Sequence, residues 1–174
     1  KLIARLFKTK YFRVYTSDDL LGCELAGSAK SIIALAVGMV VGMGLGENTQ
    51  ATIITRGLNE VSKLGVALGA NPLTFAGLAG MGDLVASCGS PLSRNRTFGE
   101  AIGRGGSYEN ARKHFSRTVE GVASASAVIE VAHRVGVEVP IIEAVADLIK
   151  GLLSPQAAMD RLMKISTESE NFIK

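Results

Sequence analysis

The run Ser31–Gly46, SIIALAVGMVVGMGLG, holds no charged residue and carries glycine at positions 38, 42, 44 and 46. Lys30 abuts it, and it is shorter than the ~20 apolar residues that cross a bilayer. It therefore reads as a buried helix with small faces, around which other helices pack closely. No membrane span is expected. Composition agrees: 47% of the chain is hydrophobic, only 5% is aromatic and Trp is absent. Ala, Val, Leu, Ile and Gly must build the core, which favours packed helices over a β-sandwich. The length of 174 residues suits one domain, or one domain with a short extension.

Periodicity along the chain gives the same class. Lys1–Phe7 resembles the end of an amphipathic helix, and Phe12–Tyr15 reads as a short alternating strand. Thr16 and Asp19 have capping-box spacing ahead of a helix expected over about Leu20–Val41. A second helix is expected over about Asn48–Leu68. Its apolar stripe is Ile54, Leu58, Val61, Gly65 and Leu68, with Arg56, Glu60 and Lys63 off the stripe. Gly69 closes it, and Asn71-Pro72 opens the next. Thr97 and Glu100 form another capping-box pair, and Gly103–Ser107 reads as a loop. Val122, Ala125, Val128, Ile129, Ala132 and Val135 make a helical stripe that Val139-Pro140 breaks. A helix follows over Ile141–Leu153, and Ser154-Pro155 restarts the last one. The pattern shifts near Ser17, so a domain boundary is expected there: a helix–strand scrap over 1–17, then an all-α domain over 18–174.

A net charge of +3 permits an anionic ligand without announcing nucleic acid. Cys23 and Cys88 form no CxxC, and neither they nor His114 and His133 have metal-ligand spacing. No metal is expected. The cysteines read as reduced thiols of a cytoplasmic protein. Lys1–Lys10 lacks the apolar core of a secretory signal.

Three polar clusters interrupt the apolar helices. Lys30 stands in the middle of a helix expected to be buried, among Ala26, Gly27 and Ala29. A buried ammonium is costly without a partner or a role, and the alternative is that it snorkels to the surface. Asp83 follows the turn Gly80-Met81-Gly82, either as an ordinary helix cap or as a functional carboxylate. Ser90–Arg96, SPLSRNR, gathers hydroxyls, an amide and two guanidiniums at an expected helix start. Free N–H groups and the dipole of a helix N-terminus suit an anion, and Arg adds a bidentate fork for phosphate. The alternative is a solvated basic loop. Together the clusters describe one lysine, one carboxylate and one phosphate cradle.

Several segments extend this reading into a resemblance. These are Phe12–Asp19 (FRVYTSDD), Thr55–Leu58 (TRGL), Leu64–Pro72 (LGVALGANP), Thr74–Leu84 (TFAGLAGMGDL), Leu92–Arg96 (LSRNR) and Glu120–Val122 (EGV). In this order they resemble the C-terminal, substrate-binding half of the bacterial-type NAD(P)-dependent glycerol-3-phosphate dehydrogenase family, over nearly the whole chain. The resemblance implies a two-domain oxidoreductase. It would interconvert dihydroxyacetone phosphate and sn-glycerol 3-phosphate with NAD(P)H, feeding glycerophospholipid synthesis. It places Lys30 at the catalytic lysine and Asp83 at a substrate-site aspartate. Ser93, Arg94 and Asn95 fall on the phosphate-binding triplet. Arg94 and Glu120 also fall on cofactor contacts, as does Thr118, where the family commonly has valine. Ser31 stands where an asparagine is common. The fingerprint glycines of a dinucleotide-binding βαβ unit are absent. The chain is accordingly expected to be the catalytic half, inactive alone, with the cofactor held mainly by another domain and a homodimer among its expected partners. The other readings are the helical domain of a different two-domain dehydrogenase, a non-enzymatic dimerisation module, and a basic module on Arg94, Arg96, Arg104, Arg112, Lys113 and Arg117.

Overall fold

The computed structural model describes residues 2–115 and 118–164. Among them there are helices and connecting turns and no strand. A short helix α1 (Leu2–Phe7) precedes an irregular segment. The body follows: α2 (Leu20–Gly42), α3 (Glu47–Ala67), α4 (Pro72–Ala76), a π-helical turn at Leu78–Gly82, α5 (Asp83–Gly89), α6 (Arg94–Gly103) and α7 (Tyr108–His114). It ends with α8 (Glu120–Arg134), α9 (Pro140–Ile149) and α10 (Pro155–Lys164). Arg117 and the chain beyond 164 lie outside the described residues.

α2 is the axis of the fold. Every residue from Ser31 to Val40 is buried, and α3, α5, α6, α8 and α9 all pack on it. Burial on all sides explains a helix apolar all round. By length and composition alone α2 also passes for a membrane span, but 67% of its most apolar window is buried inside the protein.

Glycines set its closest contact. A Cβ on Gly38 would lie 2.0 Å from Arg96 O, and one on Gly99 would lie 2.0 Å from Leu35 O. Gly42 and Gly103 repeat the arrangement one turn on, each with a would-be Cβ 2.2 Å from the facing helix's carbonyl oxygen. α2 and α6 thus touch backbone to backbone, and the first turn of α6 is fixed against α2. Gly121 brings α8 close to α2 as well, its would-be Cβ 2.5 Å from Ser31 O.

Two helices take their N-terminal caps from distant residues. The N-cap residues of α8 and α9 are Val119 and Val139, neither of which offers a capping side chain. Asn95 Oδ1 accepts from Gly121 N at 2.9 Å, and Glu60 accepts from Ile141 N at 2.8 and 3.0 Å. Each satisfies donors that a helix start leaves free.

Several expectations are corrected. The strand at Phe12–Tyr15 does not form. Its residues are mostly exposed, with no second strand among the described residues to share a ladder, and alternation alone does not stabilise an isolated strand. The cap of α2 is Asp19 itself, accepting from Gly22 N at 2.9 Å, so the Thr16–Asp19 box is absent. Asp19 Oδ2 also takes Asn71 N at 3.0 Å and Thr74 Oγ1 at 2.6 Å, tying α2 to α4. α6 starts earlier than the Thr97–Glu100 pair implied. Ser93 is its cap, and the Thr97 hydroxyl bonds back to Ser93 O within the helix. α9 stops at Ile149 because Gly151 turns the chain at φ +72°. Glu60 is buried, not outward-facing: the inner face of α3 runs through Ile53, Gly57, Glu60, Val61 and Leu64.

Candidate active site

A cleft of about 510 Å³ opens where α2, α5, α6 and α8 meet. Lys30, Ser93, Arg94, Asn95 and Glu120 line it, joined by Ser28, Ser31, Ser87 and Ser124. Residues as far apart in sequence as Ser28 and Ser124 converge there because α2 passes beneath all three other helices.

Lys30 sits one residue before the fully buried stretch of α2. Its Nζ donates to Asp83 Oδ2 at 2.5 Å, with the side chains 26% and 43% exposed. The lysine therefore neither snorkels freely nor lies buried alone. It holds a carboxylate partner and stays open to the cleft. Asp83 reaches it because the π-turn folds tightly on α4, with a would-be Cβ on Gly80 only 2.2 Å from Phe75 O. That turn delivers Asp83 as the first residue of α5, not as its cap.

The triplet Ser93-Arg94-Asn95 forms the start of α6. Ser93 caps the helix, accepting from Arg96 N at 3.4 Å. The Arg94 guanidinium pairs with Glu120, the first residue of α8. Asn95 is only 8% exposed and works in both directions: Oδ1 holds Gly121 N, and Nδ2 donates to Glu120 Oε2 at 3.3 Å. Ser93, Arg94 and Asn95, at the start of α6, thus line one wall of the cleft, with Lys30 on another.

Thr118 is exposed just before α8 and is not among the residues lining the cleft. Arg96, grouped with Arg94 in the sequence, is also outside it, and its Nε is buried with no hydrogen-bond partner among the described residues. Ser87 and Ser124 were not singled out in the sequence. A serine on an amphipathic helix carries no pattern of its own, and only the packing brings these two to the cleft. The basic-module reading loses its basis as well. Arg94 and Arg104 pair with Glu120 and Glu100, and Arg112 bonds Phe115 O at 2.9 Å, so these cations do not form a free stripe.

Burial pushes the Cys88 thiol up to about 12, so it is inert as a thiolate. Among the described residues no cluster of His, Cys, Asp and Glu could hold a metal ion.

The family model for the C-terminus of NAD-dependent glycerol-3-phosphate dehydrogenase matches residues 19–160. The chain is 51% identical over 162 residues to the glycerol-3-phosphate dehydrogenase (NAD(P)+) of Streptomyces griseus subsp. griseus, covering 93% of this chain and 48% of that protein. Its identity to the Thermobifida fusca protein of the same name is 49% over 170 residues, covering 98% and 51%. The crystal structure of glycerol-3-phosphate dehydrogenase from Coxiella burnetii superposes with a TM-score of 0.90 at 37% identity, over 94% of this chain and 50% of that one. The chain spans about half the length of the relatives it matches.

Proposed function

The chain belongs to the NAD-dependent glycerol-3-phosphate dehydrogenase family, as its helical C-terminal part, and on that premise we propose that it forms the substrate side of an oxidoreductase. That enzyme interconverts dihydroxyacetone phosphate and sn-glycerol 3-phosphate with NAD(P)H and feeds glycerophospholipid synthesis. Residues 1–17 are then the tail of the cofactor-binding domain, and 18–174 the catalytic one. Two free thiols, Cys23 and Cys88, suit a reducing cytoplasm.

One observation carries this reading: Lys30, held by Asp83 behind it, and the Ser93-Arg94-Asn95 turn line the same cleft, while Asp83 itself is not among the residues lining it. A three-carbon phosphate needs this division, an anion clamp at one end and a proton donor at the other. Arg94 and the N-terminal N–H groups of α6 take the phosphate. That remote binding holds the substrate's carbonyl against Lys30. During reduction negative charge grows on the carbonyl oxygen, and the Lys30 ammonium stabilises it and transfers a proton to it. In oxidation neutral Lys30 accepts the hydroxyl proton. Asp83, in contact with Nζ, orients the lysine. The nicotinamide supplies or takes the hydride at the substrate carbon. Arg94 and Glu120, both half exposed at the cleft mouth, and Thr118 beside them are the residues of this chain that would meet the cofactor.

The test is substrate discrimination in the complete enzyme. Oxidation of NADH or NADPH should be fast with dihydroxyacetone phosphate and slow with dihydroxyacetone. Equal turnover of the two would remove the phosphate cradle from the reading.

A further inference from the structure

Glu120 is held in the cleft by two donors. The Arg94 guanidinium donates to Oε1, and Asn95 Nδ2 donates to Oε2 at 3.3 Å. Asn95 is fixed in turn by its bond to Gly121 N and by burial. A carboxylate therefore lies where a guanidinium and an amide converge, on two residues of the phosphate triplet. A phosphate monoester offers those donors the same partner, a pair of negatively charged oxygens. Glu120 is also the first residue of α8, where the helix dipole favours negative charge. It is tethered beside Arg94, so it competes at the high effective concentration of an intramolecular ligand.

We propose that Glu120 is a built-in competitor for the substrate's phosphate: an anion binding at Arg94 displaces the Glu120 carboxylate, which is then free to accept a hydrogen bond from the cofactor. This rests on the reading of Ser93-Arg94-Asn95 as the phosphate cradle. Competition lowers the affinity of the empty cleft for stray anions that bring no further contacts. It also couples the two ligands. Whatever draws Glu120 from Arg94 strengthens phosphate binding, and by linkage phosphate strengthens the binding of that group.

The experiment uses the complete enzyme with inorganic phosphate as the probe. Its dissociation constant is measured by calorimetry, without and with saturating NAD+, for the parent, Glu120→Gln, Glu120→Asp and Arg94→Lys. Gln keeps an acceptor for Asn95 but no charge, and Asp keeps the charge one methylene further from Arg94. Both should bind phosphate more tightly, by about two- to fivefold, which is what a half-exposed ion pair is worth. The gain in phosphate affinity on adding NAD+ should be present in the parent and lost in Glu120→Gln. Unchanged or weaker phosphate binding in both Glu120 variants would mean that Glu120 only orients Arg94, and the proposal would fall while the cradle stood. If Arg94→Lys left phosphate binding unchanged, the cradle reading itself would fail and the proposal with it.

Discussion

Glu60 on α3 grips the start of α9 through two backbone groups: both of its carboxyl oxygens lie within bonding distance of Ile141 N, at 2.8 and 3.0 Å, and Oε2 reaches Ile142 N at 3.4 Å. Burial pushes its pKa up from 4.5 to about 8, against the opposing pull of these N–H groups and of Arg56, while Glu143 adds to the rise. The folded state therefore binds more protons than the unfolded state between those values. Glu60's contribution to stability is full below about pH 4.5 and is lost as pH rises through about 8. Glu60→Gln cannot ionise, so its stability relative to the parent should improve as pH rises across that window. Denaturant unfolding of both proteins at several pH values checks this; a constant difference would show that Glu60 does not titrate there.

Gly38→Ala should damage the fold and the site together. The added methyl would lie 2.0 Å from Arg96 O, in backbone that has nowhere to move. Overpacking of this kind costs about 1–3 kcal/mol, sometimes more. The strain falls on α6, whose first turn carries Arg94 and Asn95, so KM for the phosphate substrate should rise as well. Gly27→Ala, on the same helix but with nothing within 4 Å of its would-be Cβ, should be neutral or stabilising by up to about 1 kcal/mol. Thermal melts of the two variants separate contact from propensity; equal losses would contradict the packing argument.

What local pattern could reveal, and what it could not, is visible in these residues. α2, α3 and α8 were legible because apolar spacing reports a buried face one turn at a time. Glu60 was misplaced by the same logic, since its purpose lies 81 positions away at a helix start that no local rule connects to it. Gly99 escaped notice and Gly103 was read as the start of a loop, because glycines contribute no side chain, though both set the closest contact of α6 with α2. At the site, Lys30, Asp83 and the SRN turn each looked unusual alone. The pairing of Lys30 with Asp83 spans 53 positions and that of Arg94 with Glu120 spans 26. Only the packing of α5, α6 and α8 on α2 brings them together.

Arg94→Lys should impair substrate binding although it keeps the charge. A lysine ammonium is a point donor and cannot replace the planar fork that meets two phosphate oxygens at once. The complete enzyme should show a raised KM for dihydroxyacetone phosphate, with KM for dihydroxyacetone little changed. Unchanged kinetics with the phosphorylated substrate would place the phosphate elsewhere.

Lys30→Met separates a catalytic lysine from a structural one. The Lys30–Asp83 pair is partly open to solvent, and ion pairs in that setting contribute little to stability. Asp83, 43% exposed, can be hydrated once its partner is gone. The variant should therefore fold, with a melting temperature close to the parent's. Its chemistry should suffer far more. It loses both the proton donor and the positive charge facing the developing alkoxide, and a positioned acid of this kind contributes about 10²–10⁴-fold in rate. Substrate affinity should change less, because Arg94 and the α6 N-terminus still hold the phosphate. Turnover, Michaelis constants and melting temperature measured on the same preparation decide the matter. A drop in kcat of at least about 100-fold with a near-parental melt supports the assignment. Turnover within about fivefold of the parent, well short of that range, would take Lys30 out of the mechanism and leave its pairing with Asp83 as packing alone.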